Sequence, residues 1–356
     1  MDTLHNVYGL MDEMGLDAVL VSNPYNVRYL SRFSGDTAYL YISKKRRILL
    51  TDSRYTTWAR SEAEGFEIFQ VDREMPYEKK VRELLEEEKL KTAGFENRHM
   101  IYDDVMRFKN ESPEIVWREL DNRLNVLRQI KTAQELEKIR HAESIGDRAF
   151  EHIIRELNVG MTEKEAAWEI ETAMRKAGAD GLSFDTIAVF GDHTAMPHAV
   201  PGSRKLQQGD FVLMDYGCVY EGYCSDMTRT VVMGRADMPQ KKMYNVVLEA
   251  QLRALSCVRS GIQACEADRV ARKVIEDAGY GQYFGHGLGH SVGLYIHESP
   301  ALSPGDTTVL RENMTETVEP GIYVPDFGGV RIEDLVVVKQ NGCENLTHSP
   351  KELIEL

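Results

Sequence analysis

The sequence predicts an α/β (α+β) fold built from two domains, residues 1–125 and 126–356. Short apolar strands alternate with helix-like stretches up to about residue 124, and two helix-capping motifs then open long amphipathic helices. The rest of the chain is rich in apolar strands that carry isolated carboxylates. At 356 residues, the chain is long enough for two ordinary domains with their own cores.

The first domain is expected to alternate short strands with helices. Its predicted strands span residues 18–21, 38–42 and 48–51, and residues 77–89 form a predicted helix. The basic run Lys44-Lys45-Arg46-Arg47 lies between two of these strands, so we interpret it as a solvated hairpin turn.

The second domain begins with two helices that are marked by capping boxes. Thr132 and Glu135 predict a helix start, and an amphipathic run follows to about residue 157. Thr162 and Glu165 repeat the motif and predict a second helix that ends near Gly178. The remaining predicted elements are strands around 210–232, helices at about 238–260 and 265–278, and strands again to the end. Helices followed by carboxylate-bearing strands therefore occur twice.

Composition and charge restrict the partners of the protein. The net charge of −14 argues against a nucleic-acid partner, which would require a basic face. A hydrophobic content of 42% and a charged content of 28% are typical of a soluble globular protein. No apolar stretch approaches about 18 residues and the N-terminus has no signal-type region, so we expect no membrane association. Five cysteines without CxxC spacing favour unpaired thiols in a reducing cytoplasm.

Two aspartates interrupt the apolar strand sequence VLMDYGCVYEGYCSDMTRT. If Glu221-Gly222 forms a two-residue hairpin loop, Asp215 faces Thr228 and Gly217 faces Asp226, which turns both aspartates to the same side. We interpret Gly217 as leaving room for a bound group between them. Two carboxylates on a buried face are costly without a cation, and the alternative is a pair of exposed strand-end aspartates.

A third carboxylate, Glu333, interrupts the apolar strand predicted over residues 330–338. Arg331 lies two residues earlier on the same predicted strand face. A structural salt bridge between the two side chains is the simplest explanation of this pair taken alone.

Histidines cluster in glycine- and proline-rich stretches. Residues 284–293 carry His286 and His290 among several glycines. The spacing of these glycines is not that of a dinucleotide-binding loop. Glycines also disfavour a helix, which argues against a helical zinc motif. We expect a close-packed stretch that brings imidazoles to a site. His198 and His297 lie in comparable surroundings. Each histidine alone is more often structural, but four of them beside unusually placed carboxylates favour a functional site.

Taken together, the motifs resemble the aminopeptidase P and prolidase branch of the pita-bread metallopeptidases over essentially the whole chain. The motifs that carry the resemblance are Pro197-His198-Ala199, Asp215 with Asp226-x-Thr228-Arg229-Thr230, Gly285-His286 through His290, Ile296-His297-Glu298, Glu319-Pro320-Gly321 and Val330-Arg331-Ile332-Glu333-Asp334. The resemblance implies a small creatinase-like N-terminal α/β domain and a pita-bread catalytic domain with a pseudo-two-fold antiparallel sheet.

The resemblance also implies that five side chains hold two divalent cations. Asp215 would bind one cation, His290 and Glu319 the other, and Asp226 and Glu333 would bridge both. Four carboxylates and one imidazole form an oxygen-rich set without a thiolate, which favours Mn²⁺, with Co²⁺ or Zn²⁺ as the other candidates.

Further positions match the substrate and transition-state contacts of the family, namely His198, His286, His297, Tyr323 and Arg331. Glu319 is the expected general base, which takes a proton from water and passes it to the leaving nitrogen. The implied function is a cytoplasmic two-metal exopeptidase, a homodimer, that releases the residue before proline from short proline-containing peptides.

Three stretches depart from the family pattern without removing a ligand. Ser291 occupies a position where the family usually has Gly. Residues 313–315 replace the usual Gly-Met-Val, and residues 190–194 replace the commoner Ser-Gly-x-Asn-Gly. Arg331 could clamp the carboxylate of an Xaa-Pro dipeptide or only orient Glu333. We therefore expect both Xaa-Pro dipeptides and short Xaa-Pro-Yaa peptides to be cleaved, at trans bonds.

Two other functions stay open on the sequence. A non-catalytic pita-bread binding module would be expected to lack metal ligands. A metal-free amidinohydrolase of the creatinase type would share the two-domain layout but have no use for the clustered carboxylates.

Overall fold

The protein is described by a computed structural model that covers residues 3–356 and divides into two compact units, Met1–Arg128 and Gln129–Leu356. The first unit contains α1 (Thr3–Met14), β1 (Ala18–Val21), α2 (Pro24–Ser31), β2 (Tyr39–Ser43), β3 (Arg47–Thr51), α3 (Thr56–Glu62), β4 (Glu67–Gln70), α4 (Tyr77–Glu88), β5 (Thr92–Phe95), α5 (Tyr102–Glu111), β6 (Val116–Glu119) and α6 (Arg123–Val126).

The first unit is built on one six-stranded mixed sheet with the order β4-β3-β2-β1-β5-β6. The strands β1, β2 and β3 pair antiparallel, whereas β4, β5 and β6 join in parallel. Alternate residues of β1 enter two different cores, Val19 in one and Leu20 in the other, because a strand projects its side chains to both faces. Both faces of the sheet are therefore covered, as expected for an α/β domain.

The second unit alternates helix pairs with antiparallel strands. It contains α7 (Ala133–Glu156), α8 (Glu163–Lys176), β7 (Gly181–Leu182), β8 (Ile187–Phe190), a 3₁₀ helix (Gly191–Ala195), β9 (Phe211–Tyr216), β10 (Cys218–Tyr220), β11 (Tyr223–Cys224), β12 (Met227–Val232), α9 (Met238–Cys257), α10 (Ala264–Asp277), a 3₁₀ helix (Gly281–Tyr283), β13 (Gly289–Ser291), β14 (Glu298–Leu302), β15 (Thr315–Val318), β16 (Gly321–Val324), β17 (Gly328–Arg331), β18 (Asp334–Lys339) and β19 (Gly342–Asn345).

The capping boxes predicted from the sequence are confirmed at both helix starts. The Thr132 side chain accepts from the Glu135 N–H while the Glu135 carboxylate accepts from the Thr132 N–H, and Thr162 and Glu165 repeat this arrangement. These reciprocal bonds satisfy backbone donors that a helix start otherwise leaves unpaired. They fix where α7 and α8 begin.

Each helix pair packs against its own set of strands. One core joins α7 and α8 to Val212, Met214 and Tyr216 of β9, and a second core joins α9 and α10 to strands that include β15, β16, β17 and β18. Because β9 alternates, Leu213 and Asp215 lie on the opposite face from the α7/α8 core. The carboxylate of Asp215 therefore lies on the face of β9 that points away from the α7/α8 core.

The hairpin predicted at Glu221-Gly222 is confirmed. Tyr220 pairs with Tyr223 and Asp215 with Thr228, and both loop residues have positive φ, 47° and 89°. The reason offered for Gly217 was wrong, however. A Cβ there would lie 1.9 Å from the backbone oxygen of Ser225, so the glycine admits the neighbouring chain and not a bound group.

The single strand predicted over residues 330–338 is also wrong, because the chain divides into β17 and β18 with Glu333 between them. β17 pairs with β16, whereas β18 lies between β15 and β19. At the junction the Glu333 N–H donates to the Thr228 carbonyl at 3.1 Å. The switch between two sheets places Glu333 beside β12.

Candidate metal centre and active site

All ten side chains singled out in the sequence line one cavity of about 990 Å³ in the second unit. They are His198, Asp215, Asp226, His286, His290, His297, Glu319, Tyr323, Arg331 and Glu333. The metal-site side chains among them come from β9, β13 and the residues just before β12, β16 and β18. Their individual roles remain predictions, but the fold brings them to one place.

Three carboxylates form the centre of the cavity. Asp215, Asp226 and Glu333 each offer an oxygen, and these oxygens lie within 4.8 Å of one another. Asp226 and Glu333 are buried, and Oδ1 of Asp215 is buried without a hydrogen-bond partner among residues 3–356. A buried oxygen aimed at other carboxylates is suited to a cation, which would satisfy it.

His290 and Glu319 extend this cluster on the side of Asp226. The His290 Nε2 lies 3.5 Å from Oδ2 of Asp226 and 3.5 Å from Oε1 of Glu319. The Nδ1 of His290 lies 3.2 Å from the Ser291 carbonyl, an acceptor, so Nδ1 carries the proton and the Nε2 lone pair faces the carboxylates. Burial lowers the pKa of His290 to about 4, which keeps this imidazole neutral and able to ligate.

The electrostatics of the five side chains fit divalent cations. Burial, followed by repulsion from neighbouring carboxylates, raises the pKa values of Asp226 and Glu333 well above their usual range. Burial likewise raises the pKa of Glu319 to about 7. Without a cation the cluster therefore holds protons more tightly than ordinary carboxyl groups do, and cations that displace those protons would remove the repulsion.

Arg331 does not pair with Glu333, so the simple salt bridge considered from the sequence is wrong. Its Nη2 donates to Oδ2 of Asp215 at 2.5 Å, its Nη1 to the Tyr323 hydroxyl at 2.8 Å and its Nε to Thr228 at 3.0 Å. The guanidinium is buried, and its nearest link to Glu333 runs through Thr228, whose hydroxyl donates to Glu333 at 2.6 Å. Arg331 thus orients one proposed ligand directly and another through Thr228.

Tyr323 connects Arg331 to His286 in a chain with one defined direction. Because arginine only donates, the Tyr323 oxygen accepts from Arg331 and its own proton points to His286 Nε2 at 2.9 Å. The His286 Nδ1 lies 2.8 Å from the Gly287 carbonyl and carries the imidazole proton. Burial lowers the pKa of His286 to about 4 and raises that of Tyr323 to about 12, so both groups are neutral at physiological pH.

Glycine stretches let the backbone close around the site, as the sequence predicted for residues 284–293. A Cβ on Gly289 would lie 2.0 Å from the backbone oxygen of Thr317 in the neighbouring strand. The Thr317 hydroxyl in turn accepts from the His290 N–H at 3.0 Å and donates to Oε1 of Glu319 at 3.0 Å. One threonine therefore supports two of the proposed ligands.

Sequence reasoning missed several residues that support the ligands. Glu143, fully buried on α7, accepts from the Asp226 N–H at 3.2 Å and from the Thr347 hydroxyl at 2.6 Å. Burial raises the pKa of Glu143 to about 8. The sequence did not indicate this role of Glu143, because a glutamate within an amphipathic helix is usually exposed. Thr317 gave no signal either, since threonine is an ordinary strand residue.

A cluster of buried carboxylates and a neutral imidazole that line one cavity is the arrangement of a metal-dependent hydrolase. The chain belongs to metallopeptidase family M24, whose model matches residues 137–340. Residues 4–130 match the creatinase/prolidase N-terminal domain. Peptidases of this family use divalent metal ions, and the Asp215, Asp226 and Glu333 cluster is suited to hold them.

Named relatives resemble the chain over its whole length. The Xaa-Pro dipeptidase of Pyrococcus furiosus is 38% identical over 368 residues, which cover 99% of each sequence. The structure of an Xaa-Pro dipeptidase from Bacillus anthracis superposes with a TM-score of 0.96 at 40% identity, covering 100% of this chain and 99% of that one. An X-Pro aminopeptidase from Thermotoga maritima gives a TM-score of 0.93 at 37% identity, with 100% of both chains covered.

These similarities confirm the resemblance to the pita-bread metallopeptidases and the predicted fold class. The order of helix pair and strands, followed by a second helix pair and strands, is the repeat expected from the sequence. Among residues 3–356, no helix is both long enough and apolar enough to span a bilayer.

Proposed function

We propose that the protein is a two-metal exopeptidase that hydrolyses the bond between an N-terminal residue and a following proline. The observation that carries this proposal is the convergence of the ten predicted side chains in one cavity, with three carboxylate oxygens within 4.8 Å of one another. The names of the similar proteins, two Xaa-Pro dipeptidases and an X-Pro aminopeptidase, support the same substrate class.

Five residues would hold the cations, with Mn²⁺ the preferred ion because the donor set is rich in oxygen. They are Asp215, Asp226, His290, Glu319 and Glu333. When bound, two divalent cations supply a water of lowered pKa and Lewis acidity toward the scissile carbonyl. The carboxylate cluster argues against the alternative function of a metal-free amidinohydrolase. The complete set of metal donors argues against a non-catalytic binding module.

The protein side chains handle the proton and the substrate. Glu319, whose pKa burial raises to about 7, takes a proton from the attacking water and delivers it to the proline nitrogen as the bond breaks. Neutral His286 and Tyr323 and the buried Arg331 form a fixed wall at which the pyrrolidine ring would rest. His198 and His297 line the same cavity and would contact the substrate backbone.

The side chains of the cavity are compatible with both dipeptide and longer peptide substrates. An X-Pro bond lacks an N–H, so a site for it must recognise the ring and the free N-terminus. Arg331 already engages Asp215, Tyr323 and Thr228, which weakens the idea of a bidentate clamp on a dipeptide carboxylate. We therefore infer cleavage of Xaa-Pro dipeptides and of short Xaa-Pro-Yaa peptides.

Location and assembly belong to the same proposal. None of the five cysteines forms a disulfide bond within residues 3–356, which favours a reducing cytoplasm. A homodimer rests on the family resemblance alone, and sedimentation at several protein concentrations tests it.

The decisive experiment combines metal analysis with hydrolysis of three substrates. Protein purified without chelator should carry close to two divalent cations per chain, lose activity to a chelator and regain it with Mn²⁺. It should cleave Ala-Pro, its C-terminal amide and Ala-Pro-Ala, but not Ala-Ala. Hydrolysis that persists in metal-free protein, or no hydrolysis by metal-loaded protein, would overturn the proposal.

A further inference from the structure

A single segment, residues 191–201, delivers His198 to the cavity, and we call it the His198 loop. It leaves the end of β8 at Phe190, passes through a short 3₁₀ helix (Gly191–Ala195) and returns at Gly202. Ala195 and Met196 line both the main cavity and a second cavity of about 610 Å³. The middle of the loop, at Ala195 and Met196, therefore has open space on two sides, whereas Ala199 packs in an apolar cluster with Leu213 and Tyr323.

Glu163, the first residue of α8, lies beneath both ends of the loop. Its Oε1 accepts from the Phe190 N–H at 3.0 Å and from Nδ1 of His193 at 2.7 Å. Its Oε2 accepts from the Gly202 N–H at 2.8 Å. Three donors that belong to the start, the first turn and the end of one loop thus converge on one carboxylate.

The burial of Glu163 shows that this carboxylate is more than an acidic residue at a helix start. Its side chain has no exposed surface, whereas Glu165 in the same turn is exposed and serves the capping box. A buried carboxylate is retained only when hydrogen bonds or charges compensate its lost hydration. Here the three hydrogen bonds from the loop provide this compensation. In addition, the backbone N–H groups of Glu163 and Lys164 donate to the carbonyls of Arg204 and Gly202, which follow the loop.

His198 depends on this support because its own side chain is exposed and makes no hydrogen bond to the part of the chain that the structure describes. Two other contacts hold the first part of the loop: the Thr194 hydroxyl accepts from the Gly329 N–H at 2.7 Å, and Asp192 Oδ1 accepts from Arg204 Nε at 3.2 Å. The first of these contacts joins the 3₁₀ helix, which precedes His198, to β17. The return of the loop after His198 is fixed by the bond from Gly202 to Glu163.

We propose that Glu163 is a positioning residue that closes the His198 loop at both ends and so sets the place of His198 in the cavity. The inference rests on the proposed function, since it concerns how that site presents one of its substrate contacts. Glu163 lines the second cavity and not the main one that holds the carboxylate cluster. Its removal should therefore affect substrate turnover without altering the cations.

Glu163→Gln is the informative change because it preserves size and removes one acceptor oxygen. An amide cannot accept from the two ends of the loop at once, since its NH₂ group only donates. One end is then released, and a small displacement of a substrate contact is enough to lower kcat/KM by about 10- to 100-fold. Glu165→Gln is the matched control, because it makes the same change in the same helical turn and keeps a capping side chain.

The test is a double-mutant cycle on kcat/KM for Ala-Pro with Glu163→Gln, His198→Ala and the double variant, all loaded with Mn²⁺. If Glu163 acts through His198, Glu163→Gln lowers kcat/KM in the wild-type background and adds less than about threefold in the His198→Ala background. Metal content by elemental analysis should stay at the wild-type level, and Glu165→Gln should stay within about twofold of wild type.

Equal losses in both backgrounds would show a general structural effect and overturn the inference, as would a loss of bound metal in Glu163→Gln. An unchanged kcat/KM in Glu163→Gln would overturn it as well. Glu163→Ala, which removes all acceptors and whose folding is checked by circular dichroism, should show the same non-additivity with His198→Ala that is expected of Glu163→Gln. Wild-type protein that fails to cleave Ala-Pro contradicts the proposed function instead, so the two failures are distinct.

Discussion

Replacing Arg229 with Met tests whether one buried guanidinium holds the metal-ligand strands together. Its side chain is 1% exposed and donates five hydrogen bonds. Four go to backbone carbonyls and one goes to Oδ1 of Asp334. The acceptors are the carbonyls of Thr228, Glu333, Ser349 and Pro350, together with the Asp334 carboxylate.

The expected loss follows from these contacts. Four carbonyls that lose a donor account for about 1 kcal/mol each. Asp334 keeps Lys351 at 2.7 Å and Gln251 at 2.8 Å, so its carboxylate is not left uncompensated. Packing of the Met side chain offsets part of this loss of about 4 kcal/mol, which leaves about 3 kcal/mol, the lower end of the range for breaking a buried ion pair. For a unit of this size that corresponds to a melting temperature lower by about 6–12 °C.

Urea unfolding and thermal denaturation of metal-free protein measure this loss directly. Arg253→Met is the matched control, because Arg253 makes an exposed ion pair with Glu249 and its loss should stay within about 0.5 kcal/mol. The Arg229→Met variant should also bind metal more weakly, since Arg229 Nη1 donates to the Glu333 carbonyl at 2.5 Å. A destabilisation below about 1 kcal/mol would refute the reasoning from buried hydrogen bonds.

Three further predictions concern acids and the arginine of the site. Glu319→Gln should lower kcat by at least about 100-fold, because the amide cannot accept the proton of the attacking water; a few-fold effect would move the general base to His297. Arg331→Lys should lower kcat/KM to a similar degree for Ala-Pro, its amide and Ala-Pro-Ala, since its donors already have partners in Asp215 and Tyr323; a loss confined to Ala-Pro would show a carboxylate clamp. Glu316 is fully buried, and burial raises its pKa well above the usual range. The folded protein keeps that proton while the unfolded chain releases it above about pH 4.5, so this group stabilises the fold at low pH and loses that contribution as pH rises. Glu316→Gln should therefore gain stability over wild type in urea unfolding at pH 8 and gain little at pH 4, and an equal difference at both pH values would contradict this.

Local chemistry explains what could be predicted from the sequence. The capping boxes and the Glu221-Gly222 hairpin depend on residues three or fewer positions apart, so their partners are visible in the sequence itself. The hairpin register then placed Asp215 and Asp226 on one face. Tyr323 is different, because only the family resemblance, and no spacing or periodicity, indicated that it belongs to the site.

Features set by distant partners could not be predicted in the same way. The division between β17 and β18 depends on pairing with β16 on one side and β15 on the other, which the apolar run does not reveal. The partner of Arg331 is Asp215, more than a hundred positions earlier, and not the neighbouring Glu333. Glu163 looked like an ordinary acidic residue at a helix start, because the loop that buries it returns only at Gly202.

The proposed ligands come from both halves of the second unit. Asp215 and Asp226 lie in the strand region that follows α7 and α8, and Glu319 and Glu333 lie in the strand region that follows α9 and α10. A cation held by this set would act as a reversible cross-link between two stretches of chain that are far apart in sequence. Like any ligand that binds only the folded state, it would raise stability with the logarithm of its free concentration. Loss of the ion would then loosen the fold and stop the chemistry together, so resistance to proteolysis could report on the metal state of the enzyme.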